Sequence, residues 1–246
     1  MKFKKILRVV ALVIAISAAT SAAAVLGLFF AAFYGGSPLH YAAATNNMSL
    51  AKISLALGAN INTKRNAFKD SIPTTALEWA SEHGSTQVAT FLLEKGANPV
   101  GGRLALGLAA REGNLTLVQY MLEHRVDPNL EAKIGITALD YLITQNGLGT
   151  IHNLEQKERI LRLLIAKGAD VNHVQKSNGW TPLYQAAFYA CPSFFKILLE
   201  HGANPDAVVN GKSIRVHVDE SRGQWPATER QMIADILQKF DKDRLE

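Results

Sequence analysis

The side chains able to do chemistry are dispersed along this chain. Of its seven histidines, no two stand at the i, i+4 spacing that sets two imidazoles on one face of a zinc-binding helix, and none adjoins a cysteine pair as in a finger. Cys191 is the lone cysteine, so it cannot close an internal disulfide, and a small buried side chain is its expected role. There is no Gly-x-Ser-x-Gly elbow to expose a nucleophile, and "NGLGT" at 146–150 has two glycines without the spacing of a phosphate-binding loop. Acidic residues fall singly along the helical segments. The pattern predicts no catalysis, no cofactor and no metal.

Charge excludes a second class. The formal charge of +5 suggests a polyanion partner, but Lys2, Lys4, Lys5 and Arg8 carry it at the N-terminus. Without them, 22 basic residues face 21 acidic ones, and no nucleic-acid partner is expected. Behind these cations, Val9 to Phe33 runs for 25 residues without a charge. At about 1.5 Å per residue a helix of that length exceeds the ~30 Å hydrocarbon core of a bilayer.

The preferred reading is an uncleaved signal anchor within residues 1–36. The basic flank then keeps the N-terminus in the cytoplasm, and Phe29, Phe30, Phe33 and Tyr34 lie at the far interface. For a bacterium this predicts a single-pass inner-membrane protein with a periplasmic domain. The alternative is a signal peptide cleaved after Ala24, within the small residues "SAATSAAA", which leaves a periplasmic or secreted protein. Asn47 and Asn114 begin Asn-x-Ser/Thr triplets, informative only in a glycosylating pathway.

The rest of the chain repeats itself. "SPLHYAAATNNMSLAKISLALGANIN" begins at Ser37, "TALEWASEHGSTQVATFLLEKGANPV" at Thr75 and "LALGLAAREGNLTLVQYMLEHRVDPN" at Leu104. "TALDYLI" at Thr137 is completed, after an insertion, by "ERILRLLIAKGADVN"; "TPLYQAAFYACPSFFKILLEHGANPD" begins at Thr181, and a degenerate copy at Ser213. Start-to-start spacings of 38, 29, 33, 44 and 32 residues scatter about a period near 33. Local chemistry accounts for the pattern. Thr181 can cap a helix that Pro182 opens, Leu183, Ala186 and Ala187 form a narrow apolar seam, and Ile197, Leu198 and Leu199 supply the stripe of a second helix. Gly202 stops that helix, as Gly58, Gly96 and Gly168 do in other copies. Arg125 stands in the glycine position of the third copy, where a distorted or weaker turn is expected. His40, Glu78, Asp140 and Tyr184 share one position and are read as structural. Met232, Ile233, Ile236, Leu237 and Phe240 are expected on one side of a final helix that seals the stack.

These motifs resemble the ankyrin repeat family, over nearly everything after Gly36. The resemblance implies an all-α fold: an ankyrin-repeat α-solenoid of about five to six helix-turn-helix repeats with short hairpin turns, here spanning residues 37–246 and preceded by one transmembrane helix. It also implies a protein partner on the concave face, met by hairpin tips and the ends of the first helices. Carried over, that pattern selects Glu82 and His83 in the second copy, Arg103, Arg111 and Glu112 in the third, and Lys133, Ile134, Ile136, Thr144 and Gln145 in the fourth. In the fifth it selects Asn178, Trp180, Phe188 and Tyr189, with Lys212 from the next tip. Aromatic residues beside charges are the usual composition of a binding hot spot; packing over a neighbouring loop is the other reading of Phe188 and Tyr189. The insertion "TQNGLGTIHNLEQ" in the fourth copy is either a functional loop or drift. The functional expectation is a membrane-tethered, extracytoplasmic binding module suited to an inhibitor or immunity protein that neutralises a secreted toxin such as a phospholipase effector. Its alternatives are an envelope scaffold that stabilises a partner enzyme and, with a cleaved leader, a secreted effector.

Overall fold

The computed structural model describes residues 37–65, 73–100, 104–132, 135–144, 153–220 and 227–244. The apolar segment 9–33, on which the signal-anchor expectation rests, lies outside them. Among the described residues no helix is long and apolar enough to cross a membrane.

Helices come in pairs. A seven-residue first helix is followed by a longer second one in α1 Pro38–Ala44 and α2 Met48–Ala56, α3 Ala76–Glu82 and α4 Thr86–Glu94, α5 Ala105–Arg111 and α6 Leu115–Glu123, and α7 Ala138–Thr144 and α8 Leu154–Ala166. The series continues with α9 Pro182–Phe188 and α10 Pro192–Glu200, a hairpin of β1 Val208–Val209 and β2 Lys212–Ser213, then α11 Ile214–Glu220 and α12 Ala227–Asp243. Helices this short do not persist alone in water; caps and packing hold them. Thr75 Oγ1 accepts from Glu78 N while Glu78 accepts from Thr75 N at 2.6 Å, a reciprocal capping box. Thr181 Oγ1 accepts from Tyr184 N at 3.2 Å, with Pro182 at the first helical position. Asn47 and Asn114 cap the second helices α2 and α6.

The chain forms two compact units, residues 1–105 and 106–246. In the first, α1 packs on α2 and α3, and α4 on α3, α1 and α2. In the second, α7 packs on α8 and α9, and α9 on α10 and α11, while α12 covers α10 and α11. Here Gly107 lets α7 approach: a Cβ on it would lie 2.4 Å from Cδ2 of Tyr141. Phe194 and Phe195 of α10 are fully buried, each contributing about 1.5–3 kcal/mol. Asparagines tie successive loops together. In the first unit Asn62 Oδ1 accepts from Asn98 N at 2.8 Å. In the second, Asn129 bridges Gly168 O and Asp170 N, and Asn172 bridges Gly202 O and Asn204 N.

Two expectations are corrected. Arg125 does not distort its turn. It takes the left-handed conformation at φ +61°, and Val126 N donates to Met121 O at 3.0 Å, matching Ala203 N to Leu198 O at 3.0 Å beyond Gly202. The hydrogen bonds of the turn outweigh the crowding of one Cβ. In α12, Ile233 and Leu237 are buried, but Met232 is 54% exposed, because one helical step of about 100° carries it off the packed face.

Candidate protein-docking surface

The second unit assembles a supported aromatic cluster. Its foundation is Asp140, fully buried in α7. Asp140 Oδ2 accepts from Thr137 N at 2.7 Å and from Thr137 Oγ1 at 2.8 Å, which caps its own helix. Asp140 Oδ1 accepts from Gln175 Nε2 at 2.8 Å and from Gln185 Nε2. One carboxylate therefore holds α7, the 173–180 hairpin tip and α9 in register. Gln175 N in turn donates to Trp180 O at 2.9 Å, and Asn178 Oδ1 accepts from Trp180 N at 3.0 Å. The tip is also fastened where His173 Nε2 donates to Gly135 O at 2.9 Å and where Lys176 pairs with Glu131. The Glu131 carboxyl is held below its ordinary value by that lysine.

On this base Trp180 meets Phe188 with ring centroids 4.7 Å apart and Tyr184 at 5.0 Å. Phe188 meets Tyr189 edge-on at 5.3 Å, and Tyr184 meets His217 of α11 at 4.9 Å. Phe188 is 38% exposed, Trp180 and Tyr189 are half-buried, and Tyr184 is buried. Burial raises both tyrosine pKa values, so their hydroxyls stay protonated and available as donors.

The residues selected from sequence distribute unevenly. Trp180, Phe188 and Tyr189 are brought into one contact chain, with Asn178 closing the tip. In the first unit Glu82 ends α3, and His83 caps it, its Nδ1 donating to Trp79 O at 2.9 Å. Arg111 bonds the adjacent Glu112 at 2.9 Å. Ile136 O accepts from Ala132 N and Thr144 Oγ1 donates to Asp140 O, both local bonds. Lys212 is exposed in β2. Arg103, Lys133, Ile134 and Gln145 lie outside the described residues, as does most of the insertion. Tyr184 and His217 were missed as members of the cluster. The helical i, i+4 spacing of Tyr184 to Phe188 signals the first; nothing local signals the second. Val174 and Val208, 55% and 69% exposed on successive tips, were missed as well.

Cys191 is 3% exposed, and burial pushes its thiol up to about 11, which keeps it protonated and unreactive at neutral pH. Among the described residues no group of three or more His, Cys, Asp or Glu side chains is placed to hold a metal.

A family model described as ankyrin repeats (3 copies) matches residues 12–101 and again 106–209. The chain belongs to the ankyrin-repeat family. It is similar to an ankyrin repeat domain from Acinetobacter baumannii AYE, known from a crystal structure, with a TM-score of 0.63 and 26% identity over 83% of this chain and 97% of that one. It is 30% identical to the human transient receptor potential cation channel subfamily A member 1, over 75% of this chain and 16% of the channel. It is 26% identical to the mouse B-cell lymphoma 3 protein homolog, over 78% of this chain and 42% of that protein. The chain thus spans well under half the length of these two relatives. Ankyrin repeats are protein–protein interaction modules, and the all-α helix pairs described above are that module.

Proposed function

We propose that this ankyrin-repeat chain docks one protein partner, with the Trp180–Phe188–Tyr189 cluster as the centre of the contact. The observation that carries this reading is a half-open aromatic cluster mounted on a buried carboxylate that accepts four hydrogen bonds. Aromatic anchors on a pre-organised support lose little conformational entropy on binding, which is the composition of a hot spot.

The proposal includes placement. The uncharged stretch 9–33 tethers the repeats to a membrane, and the basic residues before it keep the N-terminus cytoplasmic. In a bacterium the repeats then stand in the periplasm, where a tethered binder is suited to neutralise a secreted toxin at the envelope. Protease added outside intact cells with a permeabilised outer membrane should digest the repeats and spare the N-terminus; protection of the repeats sinks the placement.

Docking is tested with a photo-crosslinking residue at position 188 or 189 of the full chain in its membrane. The expected result is one stoichiometric protein adduct that disappears in Trp180→Ala. A crosslinker at the exposed Gln156 of α8 serves as control. Equal adducts from both positions, or none from 188 and 189, overturn the assignment.

A further inference from the structure

We propose that the aromatic cluster receives an uncharged, proline-rich segment of the partner in the polyproline II conformation, an inference that rests on the docking reading above. Charge complementarity is the first argument. Helix α9, "PLYQAAF", and the following Tyr189, Ala190 and Cys191 carry no charge. On the adjoining tip, Lys176 is already paired with Glu131. Among the described residues the cluster has no exposed carboxylate to meet a basic segment, and the lysines of its own tip and of the next, Lys176 and Lys212, are both engaged rather than waiting for an acidic one.

The second argument is the hydrogen-bond inventory. The Trp180 indole N–H and the Tyr189 hydroxyl have no partner among the described residues, and both can donate outward. The complementary ligand offers carbonyl acceptors. A docked helix has its interior carbonyls satisfied within itself. An added β-strand needs main-chain partners, but Trp180 N and O are both engaged, with Asn178 Oδ1 and Gln175 N. A polyproline II segment has free carbonyls, prolines that contribute no N–H, and a backbone already ordered before binding.

Ring geometry is the third. Trp180 and Phe188 are tilted by 48° at 4.7 Å, and Phe188 and Tyr189 stand at 89°. Rings packed against one another leave no cage between them for an ammonium group. They present inclined faces and edges, on which pyrrolidine rings can stack.

The test uses a fluorescently labelled peptide of ten prolines and a Gly-Ser peptide of equal length, titrated by anisotropy against the full chain in detergent micelles. The proline peptide should bind saturably and the Gly-Ser peptide at least tenfold more weakly. Trp180→Ala should weaken proline binding tenfold or more. Tyr189→Phe keeps the ring and removes one donor, and should weaken it about three- to tenfold, with circular dichroism confirming the fold. Absence of saturable binding, or binding indifferent to both variants, overturns the inference. If a crosslinked partner at 188 or 189 contacts the site through a helical or charged segment, the polyproline reading falls while docking stands. If neither adduct nor peptide binding is seen, both fall.

Discussion

Two tryptophans, one in the second repeat and one at the start of the fifth, are treated in opposite ways. Trp79, in the first unit, stands beside Glu78 in α3 and donates its indole N–H to Thr74 Oγ1 at 2.5 Å, with His40 edge-on at 5.8 Å. Its polar edge is engaged by the hairpin that it supports. Trp180, in the second unit, is held by its main chain, and its indole N–H has no partner among the described residues. The difference originates in who caps. Glu78 caps its own helix through Thr75, whereas Asp140 bonds Thr137 and also two glutamines 35 and 45 residues away. Where one buried carboxylate fastens three elements, the aromatic side chains above it need not do so, and in the proposed docking their donors serve the ligand.

The sharpest way to break that comparison is Asp140→Ala. It leaves Thr137 N, Thr137 Oγ1, Gln175 Nε2 and Gln185 Nε2 without their acceptor, in a site where Gln185 Oε1 already lacks a donor. At roughly 1–3 kcal/mol for each buried group left unsatisfied, less what water recovers, the expected cost is about 3–5 kcal/mol. Urea titration of the full chain measures it. Amide exchange in 173–180 should accelerate while exchange in 75–82 is unchanged. A loss below about 1 kcal/mol, or equal acceleration in both peptides, removes Asp140 as the support.

The helix pairs were legible because their signals are local: Thr before Pro, a narrow apolar seam, Gly after the last turn; Asn47 and Asn114, read only as Asn-x-Ser/Thr triplets, prove to be the caps of second helices. Arg125 misled only as to the shape of its turn, because sequence shows the missing glycine but not the hydrogen bonds that hold the turn against it. Met232 misled because a list of apolar residues is not a helical angle. The cluster was half legible. Trp180, Phe188 and Tyr189 stood out as aromatics at positions that the pattern leaves open. Asp140 read only as structural, since the donors that make it a support come from a distant hairpin and the next repeat. Trp79 and Trp180 are equally visible in the sequence; only coordinates distinguish a satisfied indole from a free one.

Acid probes the other side of the comparison. His40 is buried, its Nε2 donates to Thr74 O at 3.0 Å, and Nδ1 is buried without a partner. Burial lowers its pKa, and the nearby Arg65 lowers it further against the opposing hydrogen bond to Thr74. A folded pKa below the unfolded 6.5 means that stability from neutral His40 is intact above pH 6.5 and is lost as pH falls through the folded value. The slope is at most about 1.4 kcal/mol per pH unit. Stability of the wild-type chain should fall between pH 7 and 5 more steeply than that of His40→Gln, which retains a donor toward Thr74. Parallel pH profiles would show that His40 does not titrate on unfolding.

The smallest effect concerns strain. Arg125 and Gly202 make the same turn, at φ +61° and +87°, but only the arginine has a Cβ to crowd the following carbonyl. Relief of that crowding is worth about 1–2 kcal/mol. A glycine loosens the unfolded chain by about 0.4–1 kcal/mol, which offsets part of it. Arg125→Gly should therefore stabilise by roughly 0.5–1 kcal/mol, a rise in Tm of about 1–3 °C. Proline-peptide affinity should not change, because residue 125 lies outside the aromatic cluster. A stabilised variant with unaltered affinity would make Arg125 a tolerated fault of the scaffold. If affinity drops instead, the left-handed arginine belongs to the docking surface, and that surface extends beyond the support that Asp140 provides.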